Sequence, residues 1–268
     1  PGLTSEEGAW AQVRLGNVPP TYLTGSPQLE WMQTGSAGVE DYIKPGVLAE
    51  NTLLTNATGA YGLAISEHML GMLLELFKKL ELYRDAQKDG QWKSLGAVKA
   101  VYGSTVRVLG MGDIGGEFGK RCKALGRKVL GVRRSNRQKP DHADEVHLLE
   151  DLDQLLPQAD VVCTVTGRFG VIGEGESRQL RDGAVLCNAG HYNMEIDTAR
   201  LGEIADGRER MHDGVDRYIV DAQRIYLQPS AHPLNPTSVA GHPIEIMELA
   251  HATQLLSPAP ELTRTGMT

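Results

Sequence analysis

The sequence predicts an α/β protein built on a doubly wound parallel sheet. Three observations predict it. Four strand-like runs, "STVRVLG" (104–110), "RKVLGV" (127–132), "ADVVCTVT" (159–166) and "GAVLCNAG" (183–190), recur with helical segments between them. That βαβ alternation puts parallel strands between layers of helix. Glycine is abundant at 31 residues and aromatic residues are only 5%, which suits many tight βα turns. A chain of 268 residues that is 41% hydrophobic holds enough apolar material for one large or two modest cores.

The elements follow in chain order. From "AQVRLGNVPP" to "NTLLTNATGAYG" short apolar runs alternate with Pro and Gly punctuation, as short βα units do. Next comes "AISEHMLGMLLELFKKLELYRDAQKDGQW", in which Ile65, Met69, Met72, Leu73, Leu76, Phe77 and Leu80 keep a helical period. One long amphipathic helix is predicted there, stopping at Gly90. The four strands come after it. "HPIEIMELAHATQLLS" predicts a terminal helix that leaves the second domain and returns to the first. The expected organisation is a discontinuous domain, 1–60 with 240–268, around a larger sheet domain, 61–239.

Charge and composition narrow the function classes. A formal charge of −7 supplies no overall basic face for nucleic acid. No apolar run reaches about 18 residues and no signal pattern opens the chain, so no membrane partner is expected. Cys122, Cys163 and Cys187 stand far apart without metal spacing. They read as buried thiols of a reducing compartment, which gives a cytoplasmic expectation and no metal site.

The strongest local signal is "VRVLGMGDIGGEFGKRCKALGRKVLGVRRS". Gly110, Gly112 and Gly115 form G-x-G-x-x-G between a buried strand and a helix. The first glycine permits a tight turn, the second lets backbone approach a pyrophosphate, and the third allows close helix–strand packing. The helix start adds N–H donors and the positive end of its dipole. Asp113 and Ile114 belong to the same phosphate-binding stretch. The second strand then chooses between nicotinamide cofactors. An NAD site ends it with Asp or Glu for the ribose 2′-hydroxyl, whereas here it ends in Arg133, Arg134 and Ser135, with Arg137 beyond. Charge and bidentate donors suit a 2′-phosphate. The pattern favours NADP(H), with NAD(H) as the alternative cofactor and a solvated basic loop as the alternative reading of the arginines. Thr164 and Thr166, at the end of the third strand, are further cofactor candidates, because doubly wound sheets bind ligands at strand carboxyl ends.

These residues carry a resemblance. From about residue 20 to 165 the chain resembles the D-isomer-specific 2-hydroxyacid dehydrogenases, through "LEWMQTGSAGVEDY", "LLTNATGAYGLAISEHMLGMLL", "LGMGDIGGEFGKRCKALG" and "LEDLDQLLPQADVV". The resemblance implies a Rossmann sheet domain beside a smaller flavodoxin-like α/β domain, and hydride transfer to or from a small 2-oxo or 2-hydroxy acid. It implies that the backbone of Ser36, Ala37, Gly38 and Val39 receives the substrate carboxylate, and such a turn suits an anion on physical grounds as well. It also implies a homodimer formed near residues 64–80. Because "AQVRLGNVPP" resembles the family's second strand, the small domain is expected to lack its first, which leaves an unpaired edge.

Beyond residue 165, "DGAVLCNAGHYNMEID", "GVDRY" and "AGHPIEIMELAHATQLLS" are similar to S-adenosylhomocysteine hydrolase. That likeness implies that His191 and His242 line the nicotinamide and nucleoside pocket and that Asn188, with Gly190, lies beneath the nicotinamide. In either family Asp216 can hold the nicotinamide carboxamide. Both patterns are incomplete here. His191 stands where the dehydrogenases place an arginine clamp, Asp221 falls near the position of their catalytic glutamate, and Ser238 replaces their histidine. The hydrolase's substrate domain and its lysine, aspartate and asparagine cluster have no counterpart.

Histidine suits the proton donor of either chemistry because its pKa lies near neutrality. His191 and His242 are the leading candidates, and His232 is a weaker one. His142, His147 and His212 read as solvated, His251 as a surface residue, and His68 as a packing histidine paired with Glu67. The expected function is NAD(P)-dependent oxidoreduction of a small anionic substrate. The alternatives are a hydrolase-like enzyme with tightly held NAD, and a nicotinamide-binding sensor or recombined sequence of low activity.

Overall fold

The computed structural model describes residues 10–24, 26–190, 195–212 and 215–228. The chain divides into two compact units at Tyr61 and Gly62. The first holds a three-stranded parallel sheet of β1 (Val13–Leu15), β2 (Trp31–Gln33) and β3 (Leu53–Thr55), in the order β1-β2-β3. The middle strand is buried throughout, and Met32 joins Leu23, Leu29 and Tyr42 in a small core. Side chains tie the strand ends together: the Trp31 indole N–H donates to Thr55 Oγ1 at 2.8 Å, and the Thr52 hydroxyl to Leu29 O at 2.8 Å. Val13 and Leu15 on β1 face solvent, so the described sheet ends in an apolar edge of the kind that favours further pairing.

The second unit opens with α1 (Gly62–Lys78) and α2 (Leu80–Lys88). There follow β4 (Thr105–Leu109), α3 (Asp113–Ala124), β5 (Lys128–Arg133), β6 (Glu145–Leu148), α4 (Leu152–Leu155), β7 (Val161–Thr164), α5 (Glu174–Arg178), β8 (Ala184–Asn188) and α6 (Thr198–Ile204). Three strands close it: β9 (Gly207–His212), β10 (Val215–Val220) and β11 (Gln223–Gln228). The sheet runs β6-β5-β4-β7-β8-β11-β10-β9. Its first six strands are parallel, and β10 and β9 extend it antiparallel.

Alternating side chains feed two cores. Val106 and Val108 of β4 pack with Met69, Leu73, Phe77 and Phe118 from α1 and α3, while Leu109 joins Leu155, Leu156, Ile172, Leu186 and Leu201 on the opposite face. Burial on both faces is why these strands read as continuous apolar runs. One residue inside them departs from the rule. Arg107 of β4 is fully buried, and none of its three guanidinium nitrogens meets a hydrogen-bond partner among the described residues.

The single long helix expected after residue 64 is two helices. Lys79 adopts a left-handed conformation (φ 55°, ψ 37°) and separates them, at a cost of about 1–2 kcal/mol for a residue with a Cβ. The break shifts the helical face, so Leu80 points to solvent while Glu81 and Ala86 are buried. Gly90 (φ 65°) does end the second helix region. The expected terminal helix over "HPIEIMELAHATQLLS" lies outside the described residues. No helix among them is long and apolar enough to cross a membrane.

Candidate functional site

The carboxyl ends of β4, β5, β7 and β8 form the candidate site. Gly110 leaves β4 with φ 101°, a left-handed conformation that glycine adopts without strain. A Cβ there would collide with the Val165 carbonyl, and one at Gly115 would collide with the Gly110 carbonyl. Gly110 lets the loop lie against the turn after β7, and Gly115 lets α3 approach the sheet. Gly112 differs: it caps α3 in extended backbone, and a Cβ on it would meet nothing within 4 Å. The missing side chain leaves open space in front of the first turn of α3, whose N–H groups have no intrahelical partners. Asp113 turns its carboxylate the other way, accepting from the Gly62 N–H at 3.0 Å, so its side chain anchors α1 while its backbone stays in the loop.

At the end of β5 Arg133 is half-buried and donates from Nη1 to Asn136 Oδ1 at 3.1 Å. Its Nε is buried with no hydrogen-bond partner among the described residues. Arg134 and Ser135 are exposed. Arg137 is committed elsewhere, to Asp151 at 3.1 Å. His142 is half-buried against Gly116 and Gly119 of α3, which corrects the expectation that it is solvated. Burial, followed by the nearby Lys120 charge, lowers its pKa. Glu67 pairs with Arg121 at 3.2 Å, so the expected partnership with His68 is replaced.

Between β7 and β8 the structure reveals a polar network that sequence reasoning missed. The Thr164 hydroxyl donates to Asn188 Oδ1 at 3.2 Å, and that oxygen also accepts the Gly190 N–H at 2.8 Å. Beside it Glu195 is fully buried. Its Oε2 accepts the Thr166 N–H at 2.9 Å and the Thr166 hydroxyl at 2.8 Å, and its Oε1 accepts the Gly167 N–H at 2.9 Å. A Cβ at Gly190 would overlap the Glu195 carboxylate. The β7–β8 pairing brings Thr164 and Asn188 together, and Thr166 is joined to them by an acid whose one sequence signal is its charge inside "MEI".

Other expected residues lie elsewhere or out of reach. Asp216 is the second residue of β10, two strands from β8, with its carboxylate held by Arg208 at 2.6 Å. Asp221 does not reach the site. It sits with Ala222 in the β10–β11 turn, both at positive φ, and pairs with Arg178 at 2.7 Å. That turn flanks Gln223, whose strand neighbours lie at the amino end of β8. The catalytic expectation for Asp221 is thereby corrected. His191, His232, His242 and His251, together with Ser238, lie outside the described residues, as does the side chain of His212.

In the first unit the Ser36–Val39 turn spends its carbonyls and keeps its amides. Ser36 O accepts from the Thr34 hydroxyl (2.7 Å) and the Ala57 N–H, Ala37 O from Asn56 Nδ2, Gly38 O from the Ser36 hydroxyl and Val39 O from the Tyr42 N–H. Tyr61 holds the preceding carbonyl of Gly35. Among the described residues the Ala37, Gly38 and Val39 N–H groups meet no hydrogen-bond acceptor, and the exposed Glu40 leans its carboxylate over Gly38.

A strand, a glycine loop open at its second glycine and a helix, set at the switch in strand order between β4 and β7, define a dinucleotide-binding domain. The chain belongs to the D-isomer-specific 2-hydroxyacid dehydrogenase family, whose NAD-binding-domain model matches residues 70–218. It is also 31% identical over 158 residues to an adenosylhomocysteinase of Aeropyrum pernix, across 59% of this chain and 38% of that protein. Among solved structures, a D-isomer-specific 2-hydroxyacid dehydrogenase family protein from Aeromonas salmonicida subsp. salmonicida is 30% identical with a TM-score of 0.64, over 74% of this chain and 64% of its own. Two others share the fold. One is the Aquifex aeolicus D-lactate dehydrogenase complexed with NAD and lactic acid (23% identity, TM-score 0.63, 75% of this chain and 62% of its own). The other is an acyclic imino acid reductase complexed with NADPH and D-Arg (18%, 0.64, 76% and 68%). The chain thus spans less than two fifths of the adenosylhomocysteinase and under two thirds of the Aeromonas protein.

Proposed function

We propose that the chain is an NAD(P)-dependent oxidoreductase acting on a small 2-oxo or 2-hydroxy acid or a related carbonyl. The observation that carries this reading is the open Gly112 cradle at the start of α3 beside the Thr164–Asn188–Gly190 network. These features fit a nicotinamide dinucleotide, which when bound supplies a hydride donor or acceptor. In this reading the backbone of Gly110, Gly112, Asp113, Ile114 and Gly115 holds the pyrophosphate. Arg133, Arg134 and Ser135 hold a 2′-phosphate, which makes NADP(H) the preferred cofactor. Support comes from the lack of an acid at the end of β5 and from the guanidinium donors there. The N–H groups of the Ser36–Val39 turn receive the anionic end of the substrate once Glu40 swings aside. His191 and His242 polarise its oxygen and carry its proton, and Asp216 serves the carboxamide after parting from Arg208.

With a histidine where relatives place an arginine clamp, binding of a simple 2-oxo acid loses about 2–3 kcal/mol, so common 2-oxo acids are weak substrates. The reading includes a dinucleotide-binding domain over 61–239, a substrate domain over 1–60 and 240–268, a homodimer, for which the exposed Leu63 and Leu80 offer apolar surface, and a cytoplasmic location. Its test is oxidation of NADPH by the purified protein against a panel of 2-oxo acids and carbonyls, with His191→Ala alongside. Turnover that falls in the variant supports the reading. Cofactor binding without any turnover supports the sensor instead.

A second reading, a hydrolase-like enzyme that retains NAD, is favoured by the likeness to the Aeropyrum adenosylhomocysteinase. Stoichiometric NAD released on denaturation would select it.

A further inference from the structure

The Glu195 carboxylate is fully buried, and no cation is paired with it among the described residues. Desolvating a carboxylate is expensive unless donors converge on it. Three do, two of them backbone N–H groups from one short turn, Thr166 and Gly167, 28 to 29 residues away in sequence. On its other side the carboxylate abuts the turn after β8 so closely that only a glycine fits at 190. That turn is fixed in its own right by Asn188 Oδ1, which accepts from Gly190 and from Thr164 at the end of β7. Glu195 also anchors itself by backbone, its carbonyl accepting the Ile172 N–H at 2.9 Å and so closing off the segment that begins at Thr166. One acid therefore spans the two strand-end turns, bonded to one and packed against the other, beyond the reach of the β7–β8 pairing that joins the strands themselves.

We infer that Glu195 is a positioning residue for the nicotinamide: it holds the Thr166–Gly167 turn and the Asn188–Gly190 turn at the separation the ring requires, without touching the ring. The inference rests on the proposed cofactor reading of this end of the sheet. A glutamine at 195 keeps size and shape but has one acceptor oxygen. Whichever way its amide is turned, its NH2 faces either the Thr166 or the Gly167 N–H, donor against donor, and one backbone N–H loses its partner. A lost hydrogen bond to a charged group corresponds to a factor of about ten to a hundred.

The test compares wild type, Glu195→Gln and the milder Thr166→Val, which removes only the hydroxyl bond. It titrates each with NADPH and NADH by fluorescence well below its unfolding midpoint, and follows hydrogen exchange at the Thr166 and Gly167 amides. Expected are a Kd for cofactor raised at least tenfold in Glu195→Gln, a smaller rise in Thr166→Val, and in Glu195→Gln faster exchange at whichever of the two amides has lost its partner, slowed again by bound cofactor. A merely structural role would lower the unfolding midpoint and leave the Kd of the folded protein unchanged, and that result overturns the inference. Should Glu195→Gln fail to fold, an unchanged Kd in Thr166→Val with unaltered amide exchange overturns it equally. If wild type binds neither cofactor, the functional reading fails first and takes this inference with it. If wild type binds and the variants match it, this inference fails alone.

Discussion

Gly112 and Gly115 stand three residues apart in one motif, yet the structure gives them opposite sensitivities. A Cβ at Gly112 meets nothing within 4 Å, and its φ of −81° is on the negative side that L-residues adopt. Gly112→Ala loses a favourable helix cap, at about 1 kcal/mol, and gains about 0.4–1 kcal/mol from a stiffer unfolded chain. Net stability should change by less than about 1 kcal/mol. The added methyl nevertheless stands where a pyrophosphate would approach the α3 N–H groups. Each charge-assisted bond lost there is worth about 1.5–3 kcal/mol, so NADPH affinity should fall by about tenfold to a hundredfold. Gly115→Ala drives its methyl into the Gly110 carbonyl and must separate α3 from β4, costing about 1–3 kcal/mol of stability. Urea unfolding and NADPH titration of both variants read the two effects separately. The reasoning is refuted if Gly112→Ala binds cofactor like wild type, or if it destabilises the fold as much as Gly115→Ala does.

Arg134→Ala, alone and with Arg133→Ser, should weaken NADPH binding by about tenfold or more per arginine while changing NADH binding little; equal losses for both cofactors would count against a 2′-phosphate site. Arg107→Leu should raise the unfolding free energy by about 1–3 kcal/mol, because a buried guanidinium with three nitrogens unpartnered among the described residues, its pKa drawn down to about 10 by burial, gives way to an apolar side chain; urea unfolding measures it. Asp144 is hydrogen-bonded by Lys123 and accepts the Val129 N–H at 2.8 Å, which hold its folded pKa below 3.8. Between the two pKa values the unfolded chain carries the proton and the folded chain does not, so this stabilisation is present above about pH 4 and lost as pH falls through the folded value. Asp144→Asn should flatten the acid limb of a stability–pH profile.

The sheet was legible in the sequence where strands are buried on both faces. β4 falls within the expected 104–110 and β8 within 183–190, because such strands are short apolar runs bounded by glycine. The antiparallel extension was less legible: "GRERMH" of β9 is polar and alternates with no apolar run, and only the paired positive φ of Asp221 and Ala222 marks its neighbouring hairpin. The helix break at Lys79 carries no sequence mark, since lysine is not a residue that favours a left-handed turn. Arg107 shows the reverse problem, a charge that a sequence reading sends to the surface and the sheet buries.

In the site, the glycine loop could be read because each glycine answers a local backbone demand. The Glu195 network could not. Its members come from two loops brought together by the parallel pairing of β7 with β8, and spacing alone does not bring an acid to a turn 28 residues upstream. Asp221 misled for the complementary reason. A count along the chain placed it near a catalytic position, but the hairpin reverses direction and carries it to the far end of the sheet.

The central claim is that the carboxyl end of this sheet holds an exchangeable nicotinamide cofactor and reads its 2′-phosphate. The direct measurement is to denature the purified protein, identify any released nucleotide, and titrate the protein with NADPH and NADH by fluorescence. The account predicts protein free of bound nucleotide that binds NADPH more tightly than NADH. Stoichiometric release of NAD, or saturable binding of neither cofactor, would contradict it.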